Sequence, residues 1–65
     1  MTTYEYIDKF YGNNSFPIVG ENGIGESTII EKGEDFYTVS TCQRNGWIHV
    51  ETYHKDGTVE EEYTK

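Results

Sequence analysis

Two Asx-Gly dipeptides, Asn45-Gly46 and Asp56-Gly57, constrain the fold of this chain more than any other feature. Such pairs are favoured at the centre of two-residue β-hairpin loops, where a type I′ turn needs positive φ at both positions. The flanking segments are rich in β-branched and aromatic residues that alternate with polar ones, as half-buried strands do. The pattern predicts strands over Ser27–Lys32, Phe36–Gln43, Trp47–His54 and Thr58–Thr64, joined as an antiparallel meander. Lys32-Gly33-Glu34-Asp35 is expected to form a looser turn between the first two.

The segment from Thr2 to Tyr11 has a different period. Thr2 and Glu5 have capping-box spacing, and Gly12-Asn13-Asn14 is a fitting stop, so a helix over 2–11 is expected. Tyr4, Ile7, Phe10 and Tyr11 fall on one side of it. Residues 12–26 read as a connector: Phe16-Pro17-Ile18-Val19 is a short extended piece, and Gly20, Gly23 and Gly25 loosen the remainder. The glycines lack the Lys-Ser/Thr pair and the strand–helix context of a phosphate-binding loop, so a turn is the expected reading. The expected fold class is therefore α+β: one small domain over 1–65, with a short N-terminal helix packed on a four-stranded antiparallel β-meander over 27–64.

Composition limits what such a domain can do. Chains this short have about 3–5 kcal/mol of stability from their cores and often recruit disulfides, metals or partners. Cys42 is the single cysteine, so no disulfide forms within the monomer, and a lone thiol without a signal-peptide pattern is expected in the cytoplasm. No apolar run approaches membrane-spanning length, and no membrane partner is expected. Twelve acidic residues against five basic ones give a net charge of −7. That balance repels nucleic-acid phosphate and anionic lipid and favours basic protein partners. Aromatic residues make up 15% of the chain, which separates it from disordered acidic sequences.

Two-residue loops would fix the strand register and with it the faces of the sheet. Cys42 would then face His49, Thr38 would face Tyr53, Val50 would meet Tyr63, and Glu51 would lie opposite Glu62. One face would carry Tyr37, Val39, Ile48, Val50, Val59 and Tyr63 as a core beneath Ile7, Phe10 and Tyr11. The other would gather Phe36, Trp47 and Tyr53 with His49, Glu51, Glu60 and Glu62, and these seven are the expected partner-binding residues. Exposed aromatics are efficient contact residues. Opposed carboxylates destabilise a sheet and can gain from a basic partner. Two plainer accounts compete. The aromatics could form a second small cluster under the connector, and Glu60-Glu61-Glu62 could be an edge strand charged against aggregation.

Little here supports catalysis. Cys42 and His49 as cross-strand neighbours would be the nearest approach to a nucleophile–base pair, but no oxyanion hole, orienting carboxylate or enclosed cleft accompanies them. A zinc site from Cys42, His49 and Glu51 would lack a fourth ligand and recognisable spacing. No catalytic, cofactor-binding or metal residue is expected, and the chain is not expected to be an enzyme.

In length, in its Lys55-Asp56-Gly57 turn and in its Val59-Glu60-Glu61-Glu62-Tyr63 ending, the chain resembles small acidic proteins carried by phages and mobile elements of Gram-positive bacteria. The resemblance covers the last third and carries over no functional residue. It implies an inhibitor of a host nucleic-acid enzyme, some members of that group acting by occupying basic DNA-binding grooves. The leading expectation is an inhibitor or modulator that docks an acidic, aromatic sheet face on a basic surface, without binding nucleic acid directly. The alternative is a small homodimeric structural or accessory protein, and self-association through Phe36, Trp47 and Tyr53 is expected in either case. A nucleotide sponge using the glycine-rich loop is a third, opposed by the negative charge.

Overall fold

The computed structural model describes residues 1–65 as one helix and five strands in chain order: α1 (Thr3–Tyr11), β1 (Ile18–Glu21), β2 (Ser27–Lys32), β3 (Phe36–Cys42), β4 (Ile48–His54) and β5 (Val59–Thr64). The strands form one antiparallel sheet in the order β1-β2-β3-β4-β5. The α+β architecture is the expected one, with a fifth strand inside the segment read as a connector. That strand exists because Asn22 closes a hairpin. Its N–H donates to the Glu26 carbonyl (3.0 Å), and its side-chain Oδ1 accepts from Ile24 N (3.0 Å) and Glu26 N (3.2 Å). The short run Ile18–Glu21 thereby pairs with β2. The glycine-rich stretch is the tip of that hairpin, and the Phe16-Pro17 peptide leading into it is cis.

α1 starts with a complete capping box. Thr2 Oγ1 accepts from Glu5 N (3.2 Å), and Glu5 Oε1 accepts from Thr2 N (3.1 Å). The backbone hydrogen bond to Glu5 holds its carboxyl below the usual carboxylate range. The helix lies across the strands at one end of the sheet. Thr2 borders the β4–β5 turn at Gly57, and Tyr37 in central β3 donates to Asp8 Oδ1 (2.7 Å). Beyond the helix end, the Gly12 carbonyl accepts from Lys32 Nζ of β2 (3.2 Å). Tyr4 and Phe16 pack tilted against the Tyr37 ring, with centroids 5.2 and 5.8 Å away.

The core is small: Ile7 (4% exposed) and Tyr37 (0%) are the two buried residues. Phe10, expected among the core-facing helix residues, is 56% exposed and pairs with Tyr6 at 4.7 Å. No helix is long and apolar enough to cross a membrane.

Candidate functional site

The hairpins at Asn45-Gly46 and Asp56-Gly57 are present, but their loops contain three residues rather than two. Gln43 N donates to the Trp47 carbonyl (2.8 Å) and Gly46 N to the Gln43 carbonyl (3.1 Å), enclosing Arg44-Asn45-Gly46. The same pattern joins His54 with Thr58 (2.8 Å) and Gly57 with His54 (3.0 Å) around Lys55-Asp56-Gly57. Only the glycines have positive φ, +92° at Gly46 and +95° at Gly57. This is a type I turn closed by a left-handed glycine, the usual three-residue hairpin loop. The Asx side chains reinforce it: Asn45 Oδ1 accepts from Trp47 N (3.0 Å), and Asp56 Oδ1 accepts from Thr58 N (2.9 Å). The backbone bond from Thr58 also holds the Asp56 carboxyl low.

One extra loop residue shifts each register by one. Cys42 lies opposite Ile48 and His49 opposite Thr41; Thr38 meets Thr52 and Tyr37 meets Tyr53. In the last pair of strands, Glu51 faces Glu61 rather than Glu62, while Glu62 faces Val50 and Tyr63 faces His49. The expected faces are therefore mixed. Tyr37 and Val39 share the helix side with His49, Glu51, Tyr53, Val59, Glu61 and Tyr63. Ile48 and Val50, expected in the core, share the opposite side with Phe36, Cys42, Glu60 and Glu62. Of the seven expected contact residues, Phe36, Glu60 and Glu62 stay together, and His49, Glu51 and Tyr53 move to the helix side. Trp47 stands at the hairpin loop with Lys65 Nζ 5.4 Å above its ring. Phe36, Trp47 and Tyr53 thus form no common surface, and the expected Cys42–His49 pair does not exist.

On the helix side, beyond the part that α1 covers, β4 and β5 assemble a compact polar cluster. His49 stacks on Tyr63 with centroids 4.3 Å apart and planes 1° from parallel. Its Nδ1 is 3.9 Å from Glu51 Oε1, and its Nε2 is 3.9 Å from Glu61 Oε1. Tyr53 donates to the other Glu51 oxygen (2.5 Å). Burial and then that carboxylate push the Tyr53 phenol up to about 12. Glu61 and Tyr63 escape a reading of the sequence that assumes two-residue loops; counting three loop residues brings both to this cluster.

The opposite side is covered by no other element, since α1 and Phe16 both pack on the Tyr37 side. It carries Ile29, Phe36, Ile48 and Val50 among Thr38, Ser40, Cys42 and Thr52, with Glu31 on β2 and Glu60 and Glu62 on the edge strand β5. A shallow depression of about 300 Å³ is lined by Val50, Thr52, Glu60, Glu61 and Glu62. His54 Nε2 lies 3.0 Å from Glu60 Oε2, and its ring is 6.0 Å from that of Phe36.

No match is found among protein-family models, curated proteins or solved structures. The functional reading therefore rests on this geometry alone. Among twelve acidic side chains, those within ion-pair distance of a cationic side chain approach only His49 or His54. Three of the four lysines are directed elsewhere: Lys32 to a carbonyl, and Lys9 and Lys65 over aromatic rings.

Proposed function

We propose that this protein is an acidic protein-binding module that docks its uncovered sheet face on a basic protein surface. The observation that carries the reading is the face itself, which sets Ile29, Phe36, Ile48 and Val50 among Thr38, Ser40 and Thr52 and adds the acids Glu31, Glu60 and Glu62, with no Lys or Arg neutralising them. Non-obligate interfaces are only about as apolar as the rest of a protein surface, with aromatic residues enriched and charged side chains at the rim. The depression beside Val50 suits a Lys or Arg side chain, whose stem would lie on Val50 and whose cation would meet Glu60 and Glu62. A basic nucleic-acid groove on an enzyme is a target of this chemistry, and occupying it would inhibit the enzyme.

Two kinetic measurements on a partner recovered by affinity purification test the proposal. Glu60→Gln with Glu62→Gln should slow association and flatten its salt dependence, because exposed charges act within about 8–10 Å at moderate ionic strength. Val50→Ala should chiefly speed dissociation. An association rate indifferent to salt and to both glutamates refutes electrostatic docking. Simultaneous binding of this protein and nucleic acid to the partner refutes groove occupation.

A further inference from the structure

We propose that His49, Glu51 and Glu61 bind a divalent transition-metal ion of the zinc class on the helix side of the β4–β5 hairpin. The three-residue loop creates this site. His49 and Glu51 project from the same side of β4 because they are two residues apart, and register places Glu61 directly opposite Glu51. One ligating atom from each of the three lies within 4.8 Å of the others.

Three features separate this cluster from a chance grouping of surface acids. First, His49 Nε2 is closed off from solvent and has no hydrogen-bond partner, although a buried ring nitrogen ordinarily has one. Second, the imidazole and one carboxylate are each held by a neighbouring tyrosine. Tyr63 stacks flat on the His49 ring, and Tyr53 fixes one Glu51 oxygen while the other faces the cluster. Hydrogen bonds of this outer kind orient metal ligands. Third, Glu51 and Glu61 are directly opposed like charges with no Lys or Arg between them, and a cation at this point would relieve the repulsion.

The donor set selects the class of ion. One imidazole with two carboxylates suits zinc and its neighbours, whereas magnesium and calcium prefer all-oxygen shells. In a tetrahedral shell, ligand atoms about 2.0–2.2 Å from one ion lie closer together than the 3.9 Å gaps around His49. Glu51 Oε1 lies beside Nδ1 and Glu61 Oε1 beside Nε2, so an ion on the unpartnered Nε2 needs both carboxylates to turn toward that nitrogen. Three protein ligands leave a fourth position open to water or to a donor from a partner.

The test is titration of the full chain, stripped with chelator, by ZnCl2 in a calorimeter and by CoCl2 followed in visible absorption. The expected result is one ion per chain, with no binding of MgCl2 or CaCl2. His49→Gln and Glu61→Gln should each weaken zinc binding by about 10-fold or more. Tyr53→Phe, which removes only the group that positions Glu51, should weaken it by about 10-fold. Glu61 lies on the exposed edge strand, so that variant keeps the fold, which far-UV circular dichroism checks. Cys42→Ser and His54→Gln should bind as the parent does, because both side chains lie on the other face. Absence of zinc binding at millimolar concentration overturns the proposal. So does binding unchanged in both His49→Gln and Glu61→Gln, or binding lost in Cys42→Ser.

Discussion

Tyr37→Phe should reverse its effect on stability between neutral and strongly alkaline pH. The Tyr37 ring has no exposed surface, and its hydroxyl donates to Asp8 Oδ1 at 2.7 Å. A hydrogen bond to a charged acceptor contributes about 1.5–3 kcal/mol. Asp8 is itself exposed and regains water when the hydroxyl is removed, which places the loss near the lower end, about 1.5 kcal/mol. In a domain with about 3–5 kcal/mol in total, that should lower Tm by roughly 6–12 °C. Alkaline pH works in the opposite direction. Burial first, and the Asp8 carboxylate second, push the Tyr37 phenol from 10.0 up to about 12. A group with a raised folded-state pKa contributes stability that is complete below its unfolded value and lost as pH rises through the folded one. Two pH units at about 1.4 kcal/mol each amount to roughly 3 kcal/mol lost between pH 10 and 12. Phenylalanine cannot ionise, so the variant escapes this loss. The matching rise at Tyr53 is common to both proteins and cancels in the difference. Urea unfolding followed by Trp47 fluorescence should show the parent more stable at pH 7 and the difference closing near pH 11, and on further alkaline titration the parent should unfold before the variant. Stability curves that remain parallel across this range would refute the account of Tyr37. Equal stability at pH 7 would refute the value assigned to its hydrogen bond.

Gly46→Ala and Gly57→Ala should each cost about 1 kcal/mol, since both glycines occupy left-handed backbone, whereas Gly23→Ala should stay within about 0.5 kcal/mol in the same urea assay. Thr2→Ala removes the capping-box acceptor and should cost about 1 kcal/mol, read as a lower thermal midpoint by circular dichroism. Glu61→Gln should stabilise the metal-free protein by about 0.2–1 kcal/mol, because it removes one of two directly opposed carboxylates. A destabilised Glu61→Gln would mean that the pair is not repulsive.

The elements themselves were legible because their signals are local. The Thr2/Glu5 spacing, the β-rich runs and both Asx-Gly turns give α1 and the last four strands nearly to the residue. β1 was not legible. Ile18–Glu21 is short, and it becomes a strand through Asn22, whose side chain bonds two backbone N–H groups of the turn that returns the chain to β2. Phe10 was misplaced for a related reason. Helical spacing gives its angular position, but the sheet meets a narrower stripe centred on Ile7 and Tyr4, leaving Phe10 to Tyr6.

The faces of the sheet turned on a single loop residue. A two-residue loop and a three-residue loop can carry the same Asx-Gly pair, and hydrophobic alternation does not choose between them here. β4 has Ile48 and Val50 on one side and Tyr53 on the other, so either side could meet a helix. The deciding bonds are those from Trp47 N to Asn45 and from Thr58 N to Asp56, which use the Asx side chain as the third corner of the loop. Because both hairpins are lengthened alike, the two shifts cancel between β3 and β5, and β4 alone is inverted. That inversion has two chemical consequences. It moves Ile48 and Val50 out to join Phe36, Glu60 and Glu62 on the uncovered side, which gives the proposed docking face its aliphatic side chains on β4. It also carries His49 and Glu51 to the side of Glu61 and Tyr63, creating the polar cluster. The two candidate surfaces are therefore products of the same turn geometry.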